Sequence, residues 1–420
     1  MDDREALVCY GCLEDPHLEK LILNERILGE CSYCHRKCEV IGISRLADLV
    51  AELIRKFLIP SNNYDRGDGL DYHVADILGC DEDCRLVKDV CAELTACSYY
   101  DRKNGGESRF NDEDLFTVKQ LRPVQAERKW NEFRTGIMHK SRFFNQGGKD
   151  FLIWLFKNID SFQTYRRPGS FSHAVRTIKK CDGEKLFRAR LCDSPGDLTR
   201  ILEDPSAQMS APPKDLATAG RMNPEGVPVF YGAFDRETCI AELRPPVGGS
   251  VISGEFRLTR DVRVLDFKVL EEAYEHAPIS MFDPEYRLKQ ERRRFLRTFH
   301  SKISSPVLPK QEREYLTTQV IAEYLSTQHT PRIDGVIFSS VQKKDGLNIV
   351  LFTHVVTVEH PAVRLTAQRL ITKTSGIEFI PETMVLHKIE AVKFTPTDSK
   401  VIGKDLEWIP DEPEYDDDWD

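Results

Sequence analysis

The amino-acid sequence predicts an α+β protein, in which a cysteine-built ribbon and a helical region precede a domain of mixed helices and strands. Two C-x2-C pairs lie in the first forty residues, and apolar residues then recur at helical spacing. Alternating strand patterns follow only after about residue 165. The predicted domains are a ribbon at 1–42, a helical domain at 43–165, a mixed α/β domain at 175–398 and an acidic C-terminal tail at 399–420.

Composition is typical of a soluble globular protein. The chain has 420 residues, 40% of them hydrophobic, and a formal net charge of -9 that argues against a general nucleic-acid-binding surface. No apolar run approaches membrane-spanning length, and the start lacks a signal-peptide pattern. We therefore expect a cytoplasmic protein whose twelve cysteines are thiols or metal ligands.

The paired cysteines predict a structural zinc site. Eighteen residues separate the two pairs, and four thiolates at that spacing suit the tetrahedral geometry of Zn2+. A site closed by four sulfurs leaves no position for a reactive water. His35 and Cys38 are spare donors that could replace one ligand. The predicted ligands are Cys9, Cys12, Cys31 and Cys34.

The next region has helical periodicity. Apolar residues from Leu46 to Leu58 form one stripe, followed by four more predicted helices. These are expected at Tyr72–Leu78, Asp83–Cys97, Leu115–Phe143 and Lys149–Phe162. Further cysteines at positions 80, 84, 91 and 97 are interpreted as buried thiols rather than a second metal site.

One basic pair in this region suggests a second function. Arg134 and His139, with four residues between them, resemble the ribonuclease motif of HEPN domains, whose histidine performs acid–base chemistry on RNA. Thr135 stands where that motif often has Asn or Asp. An RNA-binding or RNA-cleaving protein is thus an alternative to the function inferred below, and a solvated basic helix edge is the simpler interpretation.

The mixed domain is predicted from strand alternation and two later helices. A Pro- and Ser-rich loop is expected at Asp204–Pro213 and the helices at Glu285–Lys302 and Gln311–Gln328. The strands are expected at Lys185–Leu191, Val251–Leu258, Val262–Phe267, Asp334–Ser340, Asn348–Phe352 and Met384–Phe394.

A loop–strand–helix stretch gathers three reactive residue types. A Gly- and Pro-punctuated loop carries Arg221, Tyr231 ends a short apolar run, and Glu242 lies on the predicted helix that follows. A cation, an aromatic ring and a carboxylate, each one element apart, are expected to face one cleft.

The mixed domain resembles the RES family over roughly residues 180–396. The resemblance implies an ADP-ribosyltransferase-like fold and an enzyme that consumes NAD+, by degrading it or by transferring ADP-ribose. Many RES proteins are bacterial toxins with an antitoxin partner, and longer ones carry a HEPN-related helical region. Met222 departs from the aromatic residue often found after the loop arginine. The motifs that carry the resemblance are Phe187–Ala189, Gly220–Asn223, Tyr231, Glu242, Thr318–Tyr324 and Asp334–Ser340.

NAD+ chemistry suits these residue types. Nicotinamide leaves as a neutral base, so the main requirement is a carboxylate that stabilises the positive charge developing on the ribose, a role expected of Glu242. Arg188 and Arg221 are expected to bind the pyrophosphate, and Tyr231 to stack on the nicotinamide ring. Ser339, with Ser340 as its alternative, is expected to hydrogen-bond nicotinamide or a phosphate. Water, phosphate and a protein side chain are all compatible acceptors of the ADP-ribose.

Overall fold

The computed structural model describes residues 5–13, 15–61, 67–103, 110–111, 113–119, 121–167, 170–192, 194–275, 279–304, 315–356, 375–393, 399–402 and 405–408. Two compact units divide the chain. The first comprises Met1–Thr177, Gly220–Pro224 and Arg263–Phe338, and the second comprises Ile178–Ala219, Glu225–Val262 and Ser339–Asp420. The mixed domain expected at 175–398 thus contributes segments to both units.

Helices and strands alternate along most of the described chain. The helices are α1 (Pro16–Glu25), α2 (Ile43–Phe57), α3 (Leu70–Leu78), α4 (Arg85–Lys103), α5 (Val124–His139), α6 (Gln146–Leu155), α7 (Pro195–Glu203), α8 (Pro205–Met209), α9 (Arg236–Glu242), α10 (Phe267–Glu272), α11 (Tyr286–Ser304), α12 (Tyr315–Thr327) and α13 (Thr353–Val356). The strands are β1 (Leu7–Cys9), β2 (Leu28–Glu30), β3 (Lys37–Gly42), β4 (Leu58–Ser61), β5 (Leu115–Val118), β6 (Phe162–Arg167), β7 (Ser170–His173), β8 (Val175–Ile178), β9 (Lys185–Cys192), β10 (Phe230–Ala233), β11 (Ser250–Leu258), β12 (Val262–Asp266), β13 (Tyr274–Glu275), β14 (Gly335–Ser339), β15 (Leu347–Leu351), β16 (Ile377–Lys388), β17 (Ser399–Ile402) and β18 (Asp405–Trp408).

The start of the first unit is a small three-stranded ribbon of order β1-β3-β2 packed beside a helical core. Helix α2 buries the predicted apolar stripe, including Leu46, Val50 and Ile54, because those side chains recur every three or four residues on one face. Three of the four cysteines expected as buried thiols, at positions 80, 84 and 91, pack against this core. The side chain of Cys97 lies outside the described residues.

The helix predicted over Leu115–Phe143 was wrong at its start. Residues Leu115–Val118 form β5, which pairs with β4, and α5 begins only at Val124. A run with aromatic and β-branched residues favours a strand, and Pro123 fits immediately before a helix because its missing N–H would have no partner there. The next predicted helix also ends early, since Phe162 begins β6.

An aromatic cluster joins α5, α6 and α11 in the first unit. The Trp130 ring lies 5.7 Å from that of Phe133 and 5.8 Å from that of Phe295, centroid to centroid. Phe151 and Phe299 complete the cluster at 6.2 and 5.6 Å from Trp130. These rings bury large apolar area at geometries that aromatic pairs prefer, so they fix how the three helices pack.

The second unit is built on an antiparallel sheet of strand order β16-β11-β9-β10-β15. Along β9, Phe187 and Ala189 pack against α9, whereas Arg188 and Arg190 alternate to the opposite face. Helices α7 and α8 contact β9 as well, and the Arg190 guanidinium binds carbonyls at the end of α8. The loop expected at Asp204–Pro213 instead begins with α8, because Asp204 caps that helix and Pro205 occupies its first turn.

This sheet is split between β9 and β10. Strand β9 pairs with β11 at every position from Lys185 to Cys192, yet it pairs with β10 only at Phe187 and Ala233. Gly232 permits that one close approach, since a Cβ there would lie 2.9 Å from the Phe187 carbonyl oxygen. Beside Arg188, beyond this pair, the described residues of β9 and β10 have no further paired position.

The C-terminal part differs from the predicted pattern. The last strand of the sheet is β16, which begins at Ile377 and ends at Lys388, so the Met384–Phe394 prediction was displaced; Phe394 lies outside the described residues. Strands β17 and β18 form an antiparallel hairpin within the segment expected to be an acidic tail. The acidic residues after Trp408 lie outside the described part.

Candidate functional site

Four cysteine side chains converge in the N-terminal ribbon. The Sγ atoms of Cys9, Cys12, Cys31 and Cys34 all lie within 4.8 Å of one another. The Cys9–Cys34, Cys9–Cys12 and Cys12–Cys31 sulfur separations are 3.4, 3.7 and 3.8 Å. Sulfurs about 2.3 Å from a tetrahedral metal ion are about 3.8 Å apart. The cluster therefore could hold a metal ion.

The two spare donors lie outside this cluster. Cys38 is not among its members, and the exposed His35 ring lies 3.8 Å from a Glu30 carboxylate oxygen. Arg36 donates a hydrogen bond of 3.2 Å to the Cys34 sulfur and lowers the pKa of that thiol to about 6. Burial raises the pKa of Cys9 to about 11 and also raises that of Cys12. The ribbon itself thus favours one thiolate, and a bound cation is what would stabilise the others.

The HEPN-like pair lies on α5, but the helix does not bring its two side chains together. Arg134 is half-buried and His139 is the exposed last residue of the helix. An α-helix turns about 100° per residue, so side chains five positions apart point about 140° away from each other. The RNA-cleaving alternative therefore stays a prediction.

The Arg221 loop is held by α12 within the first unit. Thr318 Oγ1 donates to the Arg221 carbonyl at 2.5 Å, and Gln319 Nε2 donates to the carbonyls of Gly220 and Asn223 at 2.8 and 3.0 Å. The Arg221 guanidinium donates to the Ile303 carbonyl and lies 5.7 Å from the Tyr315 ring centroid. The Thr318–Gln319 part of the predicted motif therefore positions the loop.

In the second unit, Glu242 is the centre of a hydrogen-bonded cluster. This exposed carboxylate ends α9, and its Oε1 accepts a hydrogen bond of 2.5 Å from Ser340 Oγ and one of 2.8 Å from Asn348 Nδ2. Among the described residues, none hydrogen-bonds its Oε2. One oxygen is thus anchored while the other remains open to a ligand.

Ser340, rather than Ser339, is the serine that contacts Glu242. Its hydroxyl oxygen also accepts hydrogen bonds from the backbone N–H groups of Gln342 and Lys343, at 3.1 and 3.2 Å. A hydroxyl has two lone pairs and one proton, so the proton is directed to the Glu242 carboxylate. Ser340 therefore orients the carboxylate, and Ser339 is the half-buried last residue of β14.

The loop that carries Ser340 is clamped along the length of α9. Lys343 Nζ lies 2.9 Å from Asp235 Oδ1 and 2.7 Å from Glu237 Oε2 at the start of the helix. Asp235 also caps the helix by accepting the Thr238 N–H at 2.8 Å. Gly346 allows the close packing, since a Cβ there would lie 2.5 Å from Thr238 Oγ1. The helix and the loop thus form one preorganised support for Glu242.

Arg188 is a buried cation with incomplete hydrogen bonding. It is 6% exposed, and its guanidinium carbon lies 5.4 Å from the Phe230 ring centroid. Among the residues that the structure describes, none hydrogen-bonds its Nε or Nη1. Burial, followed by the charge of Arg190, lowers the pKa of Arg188, while the nearby Tyr231 acts in the opposite direction. By contrast, Arg190 Nε and Nη2 donate to the carbonyls of Gln208 and Ser210 at 3.2 and 3.4 Å. A buried guanidinium of this kind is one that an anion would stabilise.

Arg188 and Glu242 lie on different faces of the second unit's sheet. Glu242 belongs to α9 and binds Asn348, which pairs with Ala233 on the α9 face. Tyr231, half-buried two residues earlier on β10, alternates to that same face. The incomplete pairing of β9 with β10 lies beside Arg188.

Comparison with protein families gives one match. Residues 197–372 match the family model of the RES domain. The match to the RES domain contains Arg221, Tyr231, Glu242 and Ser340, begins after Arg188, and does not extend to the cysteine ribbon. RES domains are associated with NAD+-using toxins and effectors, which supports NAD+ use at a coarse level. No curated protein and no solved structure matches the chain.

Within the described part of the chain, no helix is both long and apolar enough to cross a membrane.

Sequence reasoning missed two members of the Glu242 cluster. Asn348 was treated only as the start of a strand, and Lys343 was not singled out. Asn348 follows Gly346 on a strand that is otherwise apolar, Leu347–Leu351. A buried amide at such a position needs a polar partner, and that was the available signal.

The Lys343 clamp predicts a pH-dependent stability. Asp235→Asn retains a capping oxygen but removes the charge, so we expect the free energy of unfolding to fall by about 0.5 kcal/mol at neutral pH, as for other partly exposed ion pairs. Although burial raises the pKa of Asp235, hydrogen bonds from Thr238 and Lys343 outweigh it and hold that pKa below the usual 3.8. The charge therefore contributes fully above about pH 3.8 and is lost as the pH falls through the lower folded value.

Urea unfolding of wild type and Asp235→Asn across this pH range measures the effect. The difference between them should shrink towards zero in acid. Lys343→Met is the matched control, because it breaks the same pair from the other side and should produce a similar loss near neutral pH. An equal difference at neutral pH and at about pH 2.5 would contradict the assignment.

Proposed function

We propose that this protein cleaves the nicotinamide–ribose bond of NAD+. The observation that carries the proposal is Glu242, whose Oε1 is anchored by Ser340 and Asn348 while its Oε2 has no hydrogen-bond partner among the described residues. An enzyme for this bond needs a fixed carboxylate whose second oxygen can face the ribose. The RES match over 197–372, which contains Glu242, supports the same choice of substrate.

The proposed course of the reaction follows from the charges on NAD+ and on Glu242. As the bond between ribose C1′ and the pyridinium nitrogen breaks, its electron pair stays on nicotinamide, which leaves as a neutral base. Positive charge then develops on the ribose, and the Glu242 carboxylate stabilises it. Water or phosphate attacks C1′ and gives up a proton, or a protein side chain accepts the ADP-ribose. Ser340 and Asn348 contribute by holding the carboxylate, and no residue need protonate the leaving group.

The buried Arg188 guanidinium is evidence for an anionic substrate. We assign it to the pyrophosphate, because the two partnerless nitrogens of its buried guanidinium match the acceptors that a phosphate supplies. We propose that the ligand reaches the Glu242 side of the sheet where β9 and β10 pair incompletely. Tyr231, on the α9 face, is assigned to stack on the nicotinamide ring. Arg221 is proposed as a second phosphate ligand and Ser339 as a hydrogen-bond donor to the substrate.

The cysteine cluster is proposed to bind a structural Zn2+. Four sulfur ligands and sulfur–sulfur separations close to the tetrahedral value support zinc, which accepts such a donor set without a geometric preference of its own. When bound, the ion would stabilise the four thiolates and hold the ribbon together. No step of the NAD+ reaction depends on it.

In a cell, consumption of NAD+ would make this protein a toxin or a defence effector. The association of RES domains with toxins and effectors supports this role. A protein antitoxin or another regulatory partner would then be needed to restrain it. We do not propose an RNA-cleaving role, because Arg134 and His139 point in different directions on α5.

The catalytic assignment predicts the effect of Glu242→Gln. This change preserves size and removes the negative charge, so we expect the rate of nicotinamide release to fall by about a hundredfold to a thousandfold. Chromatography of NAD+ incubated with purified protein measures that rate. Parallel incubations with and without phosphate identify the acceptor from the ADP-ribose product.

Glu203→Gln is the matched control for charge, because Glu203 is an exposed carboxylate on α7. It should release nicotinamide at the wild-type rate. Absence of release from the wild-type protein, or equal release from Glu242→Gln, would refute the proposed function.

The pyrophosphate assignment predicts that Arg188→Met weakens NAD+ binding by about tenfold to a hundredfold, the value of one or two charge-assisted hydrogen bonds. Calorimetric titration in the Glu242→Gln background measures the Kd without turnover. Removing a buried charge that lacks partners should leave Tm unchanged or raise it.

Arg190→Met is the control for Arg188, since its side-chain donors already bind backbone carbonyls. This variant should lower Tm and leave the Kd for NAD+ unchanged. An unchanged Kd in Arg188→Met would exclude the pyrophosphate role.

The zinc assignment predicts about one zinc ion per chain by elemental analysis, and its loss in Cys31→Ser. Apparent binding energies of structural zinc are about 10–16 kcal/mol, so we expect unfolding of the ribbon when the ion is removed with a chelator. Circular dichroism and limited proteolysis follow that unfolding. Cys38→Ser, which changes a cysteine outside the cluster, should retain the full zinc content; equal loss from both variants would contradict the ligand set.

A further inference from the structure

Asn348 combines burial with a single side-chain interaction. It is 5% exposed and lies on β15, where it pairs with Ala233 of the neighbouring strand. Within the described part of the chain, its side chain hydrogen-bonds Glu242 alone, through Nδ2 to Oε1 at 2.8 Å. A polar side chain on a buried strand normally costs stability unless its hydrogen bonds are made, so this contact accounts for its presence.

The chemistry of an amide suits this position better than that of a cation. A Lys or Arg in its place would pair with Glu242 and cancel the negative charge that a developing ribose cation needs. Asn348 donates a hydrogen bond without a formal charge. It therefore fixes the direction of the carboxylate and leaves its charge available.

Two different elements hold the same oxygen. Asn348 approaches Glu242 Oε1 from the rigid strand β15, and Ser340 approaches it from the loop that follows β14. A glutamate side chain has several rotatable bonds, and an exposed one at a helix end would otherwise sample many rotamers. Two donors on one oxygen select one orientation, in which Oε2 is the atom presented to a ligand.

We propose that Asn348 is a positioning residue for NAD+ cleavage, acting through Glu242 without touching the substrate. This inference rests on the proposed function and adds a residue to it. Since a misplacement of about 1 Å can cost about a hundredfold in rate, the loss of one of two anchors should reduce kcat measurably. Substrate affinity should change little, because the interactions assigned to binding belong to other residues.

Asn348→Leu tests the proposal, because leucine has a similar volume and no donor. We expect kcat for nicotinamide release to fall by about tenfold to a hundredfold, with KM within about twofold of wild type. Because an apolar isostere replaces a buried amide, Tm should be unchanged or higher. This split between rate and stability would not arise from a merely structural role. Asn348→Asp, which places an acceptor against the carboxylate, should be slower still.

Ile349→Val is the matched control. Ile349 is the fully buried neighbour on the same strand and alternates to the opposite face, so its truncation should lower Tm and leave kcat unchanged. A kinetic double-mutant cycle gives the second measurement. If Asn348 acts through Glu242, the combined variant Glu242→Gln with Asn348→Leu should be no slower than Glu242→Gln alone.

The measurements distinguish failure of the proposed function from failure of the positioning role of Asn348. Wild-type protein that releases no nicotinamide would overturn the proposed function and this inference together. Release that depends on Glu242 but is unchanged in Asn348→Leu would overturn only the positioning role. An increase in KM with unchanged kcat would also overturn it, because Asn348 would then act on substrate binding.

Discussion

The candidate site of the second unit depends on the Glu242 carboxylate, which is fixed at the end of the short helix α9. A negative charge at a helix C-terminus is electrostatically unfavourable, so Glu242 would not adopt one direction on its own. Its Oε1 is held by Ser340 and Asn348, and the loop carrying Ser340 is in turn held by Lys343 at the start of α9. The cost of the charge is offset by hydrogen bonds whose donors lie on separate elements. The catalytic role proposed for Glu242 requires such an arrangement, because the carboxylate must be in position before a substrate binds.

The second unit also holds a buried positive charge, Arg188, at the point where β9 and β10 pair incompletely. Strand β9 pairs with β10 only at Phe187 and Ala233, and Arg188 is buried beside that pair. Two nitrogens of its guanidinium lack hydrogen-bond partners among the described residues. Such a buried cation lowers stability, and proteins retain such costs mainly where a ligand relieves them.

Much of this architecture could be predicted from the sequence, because it follows from local patterns. The C-x2-C spacing predicted the four cysteines that converge, and the periodicity of Leu46–Leu58 predicted the buried face of α2. The start of α5 was missed because Leu115–Val118 gains its strand partner from β4, which no local pattern reveals. Arg188 and Glu242 were expected to bind the same NAD+ molecule, but which face of the sheet a side chain takes depends on strand pairing over long sequence distances. Asn348 was missed for the same reason: 106 residues separate it from the carboxylate that it holds.

The residue after the loop arginine also has a structural explanation. Met222 stands where short RES toxins often have an aromatic residue, a departure that bears on the toxin role more than on the ligand. The Met222 side chain is 4% exposed, and its neighbours in the loop are tied to α12 through Thr318 and Gln319. A buried apolar position tolerates exchange between an aromatic ring and a flexible thioether of suitable volume, because both remove similar area from water. The buried thioether therefore fills this position in the loop within the first unit, and Arg221, one residue earlier, stays a proposed phosphate ligand.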